Sequence, residues 1–412
     1  MSNSNPNSTP PTARLTRLLP IAGWLPRYDR SWLRPDIIAG LTLWGLVVPE
    51  AMAYAGIAGL PPQAGLYTLL MALLVYAIFG SSRHLVVQAT SATAALLAAT
   101  VIALGAPAGD AAVYQAYAAA FTIVVGMMFL LAALARLGFI TQFLSKPVMD
   151  GFVTGLAIFV AVGQLNKLFG VPKGEGNTIL KLWEIVRQLP QANWMTFAVG
   201  ASALALLFLL PRINKQLPSG LIVLFSYIGL SLALDLPGRF DVEVVGALPK
   251  GLPQLAWPAI PPMAWINMAL PALGVLLVAY SEALGVAREF AAKHGYEVDP
   301  DQELFAHAWA NLASGLFGGM IAGGSMSATA VKDGAGARSQ VTNLVTWLAA
   351  LVTVLFLTPL FAPLPEAVLA ALIIHAVWHI IVARKLQPIR AFSRTEFWLG
   401  ATALAGVLLI DV

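Results

Sequence analysis

The chain has 412 residues, is 58% hydrophobic and only 11% charged, carries a formal net charge of +4 and contains no cysteine. Soluble domains hold about twice that share of charged residues, and the missing cysteine excludes disulfides, thiolate metal centres and cysteine catalysis. The basic residues are scattered along the chain rather than gathered into a stripe, so the small positive charge does not indicate a nucleic-acid partner.

A mean hydropathy of +0.78 fits a polytopic helical membrane protein. The chain opens on a polar, Pro/Ser/Asn-rich tail, "MSNSNPNSTPPTA", which reads as disordered and not as a cleavable signal peptide. Arg, Trp and Leu then alternate up to Asp36, as in a segment lying on the cytoplasmic membrane surface. Residues 1–35 form this lead-in. Apolar segments follow at about 37–58, 63–80, 85–104, 112–135, 142–166, 194–210, 218–234, 267–287, 304–321, 325–337, 341–361, 364–383 and 396–412. Those at 85–104 and 325–337 are too short or too polar to cross as whole helices.

The chain holds 24 Lys and Arg, and they orient it. With the N-terminus inside, Lys167, Lys173, Lys181, Arg187, Arg239 and Lys250 fall outside, all in the two longest loops, and the other 18 fall inside. That is the positive-inside bias of a cytoplasmic-membrane protein. Thirteen spans leave the C-terminus outside, and "TEFWLGATALAGVLLIDV" stops at an apolar span. A final helix is therefore expected to be missing.

The two short segments share a tripeptide, Ser-Ala-Thr, starting at Ser91 and Ser327. The threading runs the first short helix outward and the second inward, both beginning near mid-membrane. Half-helices starting from opposite sides mark an inverted-repeat transporter. Their free backbone N–H groups and helix dipoles attract an anion. Small side chains at Ala89, Ala92, Met326-flanking Ser325 and Ala328 let a ligand approach, and Thr90, Ser91, Thr93, Ser325, Ser327 and Thr329 add hydroxyls. Small residues at such spacing also serve plain helix packing. An odd number of spans per repeat inverts the second copy, giving seven plus seven helices. The repeats are then 36–235 and 266–412, joined by a loop at 236–265.

"DIIAGLTLWGLVVPEAMAYAGIAGLPPQAGLYTLLMALLVYAIFGSSRHL" (Asp36–Leu85) resembles the signature of the SulP anion transporter family, the sulfate-permease and prestin group. "VVGALPKGLPQLAWP" (Val244–Pro258), Tyr280–Gly319 and "GGSMSATAVKDGAGARSQ" (Gly323–Gln340) are similar to later parts of it. The resemblance implies an all-α membrane domain of fourteen helices. It divides them into a core domain (36–136 with 266–361) and a gate domain (140–235 with 363–412), with elevator-like motion of the core. It further implies a homodimer and a cytoplasmic STAS domain beyond the last helix.

Glu50 follows Pro49 near mid-span, where a carboxylate is costly without a task or partner. The resembled family commonly has Gln here. Glu50 is expected either to carry the proton of a proton-coupled uptake or to be fixed by backbone N–H groups. Tyr54 lies one turn on, on the same face, and either offers its hydroxyl to substrate or packs. Gln88 either binds the anion or holds the unwound strand. Glu282 either binds H⁺ or Na⁺ or organises the core. H⁺ is preferred over Na⁺, and no cofactor or metal is expected. Relatives often carry Arg where Ala328 stands, which makes a carboxylate substrate easier to entertain. Met326 completes the second half-helix start. His375 and His379 share one face but lack an acidic third ligand. Lys332, Asp333 and Arg338 read as a solvated cytoplasmic face. Trp183, Trp194, Trp257 and Trp265 suit an outer interfacial belt. The whole describes a secondary transporter of a small inorganic anion or dicarboxylate and not an enzyme. Its alternatives are a nucleobase permease of the same architecture and an anion channel or motor.

Overall fold

The computed structural model describes residues 19–106, 110–140, 146–172, 174, 178–213, 219–246, 251–382 and 394–410. The tail over residues 1–18 lies outside them. A short helix at Pro20–Trp24 and 3-10 turns at Leu25–Arg27 and Arg30–Trp32 form the lead-in. They are followed by helices α1 (Leu33–Ile57), α2 (Pro62–Phe79), α3 (Ser91–Ala103), α4 (Ala111–Leu134), α5 (Lys146–Phe169), α6 (Thr178–Gln188), α7 (Trp194–Ile213) and α8 (Ser219–Leu234). The second part holds α9 (Ala269–His294), α10 (Pro300–Leu316), α11 (Met326–Gly334), α12 (Val341–Val352), α13 (Glu366–Val382) and α14 (Arg394–Ile410). Among the described residues, seven helices are long and apolar enough to cross a membrane, and α3, α8, α13 and α14 contain shorter apolar stretches.

All thirteen expected apolar segments are helical in part or whole. Helix α1 runs through Pro49 to Ile57, as the segment at about 37–58 implied, although the proline has no N–H to give the carbonyl four residues back. Two details differ. The segment expected at 304–321 is helical only to Leu316, because the chain must reach full extension by Gly323. Helix α6 falls in what read as an outer loop. It is amphipathic, with Ile179, Leu182, Trp183 and Val186 exposed, as suits a helix lying in a membrane interface. Trp183, Trp194 and Trp257 are also exposed, and Trp257 stacks on Trp265 at 5.2 Å.

The helices pack most heavily in two sets. In one, α4 lies along α10, and α1, α2 and α12 pack on one another; in the other, α5 lies between α13 and α14, and α13 also packs on α7. Helix α1 touches α8 and α13, and α3 touches α5, linking the two sets. The residues joining the repeats also pair with the second half: Val245 N–H donates to Leu364 O and Glu366 N–H to Glu243 O.

Two buried extended segments break the helical pattern. Strand β1 (Val87–Gln88) pairs antiparallel with β2 (Gly323–Gly324), Val87 opposite Gly324 and Gln88 opposite Gly323. Two residues per strand leave most neighbouring backbone groups without a sheet partner, so side chains take that role. Thr68 and Ser314 bind Met320: its N–H donates to Thr68 Oγ1 at 2.7 Å, and Ser314 Oγ donates to its carbonyl at 2.6 Å. Asn311 clasps Ala322 from both sides, at 2.9 and 3.0 Å. On the other strand, Gln340 and Asn343 both donate to Leu85 O, and Val86 N–H donates to Thr329 Oγ1.

Charged side chains buried in this region serve the same purpose. Asp36 accepts from Tyr28, from the N–H groups of Arg338 and Ser339, and from the hydroxyls of Ser339 and Thr342. Glu303 accepts from Tyr76, Ser81 and the Ser82 N–H. Lys332 overturns the expectation of a solvated face: it is fully buried and donates to Arg83 O and Asn343 Oδ1, both at 3.1 Å. Arg338 is exposed, and Asp333 is paired with Lys293.

Gly324 lets β2 lie against α9, since a Cβ there would sit 2.5 Å from Ala283 Cα. Gly324→Ala must push two backbones apart and should cost about 1–3 kcal/mol. Gly274→Ala, on the same α9 with nothing within 4 Å, should leave stability unchanged. Thermal unfolding of the two variants in detergent makes the comparison, and equal midpoints would disprove the close-packing role.

Candidate functional site

Each strand leads into a helix start. Thr90 caps α3: its hydroxyl accepts from Thr93 N–H, and Thr93 Oγ1 accepts from Thr90 N–H, a reciprocal capping box. Ser325 caps α11 by accepting from Ala328 N–H at 3.3 Å. The strands run antiparallel, so the helices that follow them leave their shared pairing in opposite directions.

The two tripeptides do not occupy equivalent positions. Ser91 is the first residue of α3, whereas α11 begins at Met326, one residue before Ser327. The reason is the cap: Thr90 precedes one copy directly, while Ser325 stands two residues before the other. Caps satisfy the N–H of Thr93 and Ala328, and the next turn accounts for Ala94 and Thr329. The N–H groups of Ser91 and Ala92 in α3, and of Met326 and Ser327 in α11, have no partner among the described hydrogen bonds.

The predicted hydroxyls divide into two groups. Thr90, Thr93 and Ser325 hold the caps, and Thr329 both donates to Ser325 O and accepts from Val86 N–H. Ser91 is partly exposed and Ser327 exposed, with Ser327 Oγ 3.2 Å from Ser325 Oγ. Met326 is exposed, whereas Ala89 and Ala92 are buried. Ala328 is fully buried in an apolar cluster that also holds Val47, Val48 and Ala51 of α1.

Glu50 is buried and accepts from Gln88 Nε2 at 3.0 Å. The side-chain oxygen of Gln88 has no partner among the described residues. The reading of Glu50 as fixed by backbone N–H groups is thus replaced by a side-chain pair from α1 and β1. Tyr54 is buried against Ala89 and Ala279 and lies within electrostatic reach of both Glu50 and Glu282. Glu282 is partly exposed on α9, one residue after Ser281, whose hydroxyl bonds back to Leu277 O. The structure therefore gathers Glu50, Tyr54, Gln88 and the two helix starts, with Glu282 at their edge. Asn311, Gln340 and Asn343, which hold the strands, went unnoticed in the sequence: Gln340 and Asn343 look like a polar helix start, and Asn311 is a single polar residue between apolar neighbours within α10. His375 packs edge-on against Phe208 at 4.8 Å, and the His379 side chain lies outside the described residues.

Comparison with known proteins agrees with this architecture. The family model described as the sulfate permease family matches residues 33–403. A probable sulfate transporter of Mycobacterium tuberculosis is 35% identical over 95% of this chain and 70% of its own length. Solute carrier family 26 member 6 of Homo sapiens is 34% identical over 97% of this chain and 56% of its own. Among solved structures, the murine solute carrier 26 family member A9 anion transporter, in its inward-facing state, superposes with a TM-score of 0.91 at 25% identity, covering 99% of this chain and 70% of that one. The transmembrane domain of the cyanobacterial transporter BicA shares the fold, with a TM-score of 0.83 at 22% identity over 93% of this chain and 97% of that one. These relatives are multi-pass membrane transporters and not enzymes. The chain belongs to the sulfate permease family.

Proposed function

We propose that this chain carries a small anion across the membrane, holding it between the starts of α3 and α11. The observation that supports this reading is the set of four unpartnered N–H groups, at Ser91, Ala92, Met326 and Ser327, on two helix ends joined by one strand pair. Each helix start adds about half a positive charge, which favours a negative ligand without a resident cation. Ser91 and Ser327 lend hydroxyls. An inorganic oxyanion such as sulfate or bicarbonate, or a dicarboxylate, suits such donors, and the names of the relatives point to the anion class. Alternating access comes from the set containing α3 and α11 moving against the set containing α5, α13 and α14. The protein works in the cytoplasmic membrane with its N-terminus inside, as a homodimer.

The Glu50–Gln88 pair supports a proton-coupled reading. An ionised Glu50 occupies the Gln88 amide and repels an anion. A proton on Glu50 removes the charge and supplies an O–H donor for the unpartnered Gln88 oxygen, which frees the amide N–H₂ for the substrate. Proton and anion are then taken up together, with no need for Na⁺.

Two measurements test these steps in proteoliposomes loaded across a panel of labelled anions. Glu50→Gln should still exchange substrate in counterflow but lose its response to an inward proton gradient; an unaltered response would disprove the coupling. Met326→Pro removes one of the four N–H donors at a position where proline fits a helix, after a residue already extended at φ −95°, ψ 114°. It should raise the substrate KM by about tenfold, the value of one hydrogen bond to a charged ligand. An unchanged KM would remove α11 from the binding site.

A further inference from the structure

On the cytoplasmic side of the same helices, three metal-ligating side chains from distant parts of the chain meet. His84 lies between α2 and β1, His294 ends α9 and Asp333 lies in the last turn of α11. One nitrogen of each histidine and one carboxylate oxygen lie within 4.8 Å of one another. The imidazoles stack at 4.1 Å with 13° between their planes. We propose that His84, His294 and Asp333 bind a divalent transition-metal ion, with Zn²⁺ the best match to two imidazoles and a carboxylate.

The geometry goes beyond what a surface ion pair requires. His84 is 3% exposed, and its Nε2 makes no well-formed hydrogen bond among the described residues, although the Ala337 main chain lies close to the ring. Its other nitrogen is 3.1 Å from the Tyr296 hydroxyl, which is itself 3.0 Å from Ser82 Oγ. A ligating histidine is usually held in this way, with the second nitrogen fixed by an outer hydrogen bond. His294 Nε2 and Asp333 Oδ1 are 2.5 Å apart, a separation that leaves room for a single proton. An entering ion takes the place of that proton; since the in-plane lone pairs of stacked rings do not converge, the more exposed His294 ring turns to meet it. The side chains of His294 and Lys293 are partly exposed, which gives the ion a route in and leaves a position for water.

Two cations oppose the ion. Lys332 is held by Arg83 O and Asn343 Oδ1, and its charge weakens the site. Lys293 Nζ holds Asp333 Oδ2 at 2.6 Å, but its side chain is 61% exposed and can swing into water. Bound metal would fasten the inner ends of α9 and α11 to the turn before β1 and so stiffen the base of the strand pair. This role is separate from substrate binding.

The test is titration of the purified full chain in detergent with Zn²⁺ by calorimetry and with Co²⁺ by its visible absorption. One ion per chain is expected, with the intense absorption of a tetrahedral Co²⁺ centre. His294→Gln and Asp333→Asn should each abolish the signal while eluting as the parent protein on size exclusion. Tyr296→Phe should weaken binding by about 10–100-fold, as loss of an outer-sphere partner does. Lys293→Ala, which removes a competitor and leaves every ligand in place, should tighten it. If the cluster is only a hydrogen-bonded ion pair, no ion binds and Lys293→Ala changes nothing. That result, or one ion retained undiminished by the His294→Gln/Asp333→Asn double variant, overturns the site.

Discussion

Every other feature of this molecule depends on satisfying the backbone of two short extended segments inside an apolar slab. In hydrocarbon an unpaired N–H or C=O costs several kcal/mol. The strand pair covers only two residues on each side. The rest of the cost is met by side chains converging from four helices: Thr68 of α2, Ser314 and Asn311 of α10, Thr329 of α11, and Asn343 of α12 with Gln340 just before it. Remove that support and the two helix starts no longer face a common point.

The same constraint explains why so many polar groups are buried in so greasy a chain. Asp36, Glu303 and Lys332 are fully buried, and each makes its described hydrogen bonds to backbone groups, hydroxyls or an amide and not to an opposite charge. Asp36 ties the start of α1 to the turn between α11 and α12, and Glu303 ties α10 to the end of α2. Each therefore joins the first part of the chain to the second. Polar residues here fix the relative positions of the two halves, and apolar contacts supply the bulk of the packing.

Some hydroxyls that looked like ligand donors turn out to be scaffold. Thr90, Thr93 and Ser325 cap the helix starts, so their hydroxyls are already engaged with the backbone. What remains for a ligand at the helix starts is mostly main chain, with the hydroxyls of Ser91 and Ser327 beside it. An anion site made of main-chain donors tolerates change in side-chain identity, which is consistent with Gln88-Ala89 and Ala328 standing where the resembled family carries other residues. The glutamate at position 50 places a buried carboxyl, paired with Gln88, next to the strand that leads into α3.

The membrane class, the positions of the apolar segments, the two short helices and the presence of a carboxylate, Glu50, inside a membrane-length helix were all legible in the sequence. Each follows from local composition: run length, charge depletion, small residues and an isolated carboxylate are properties of neighbouring residues. The sequence could not give the one-residue offset between the two tripeptides, because a helix begins where its cap forms and two hydroxyls competed for that role near Ser327. Nor could it assign Gln88 to Glu50, bury Lys332, or bring His84, His294 and Asp333 together. Those are contacts across 38 to more than 200 residues. Such contacts are decided by which helices pack side by side, a property of the tertiary structure that no local pattern encodes.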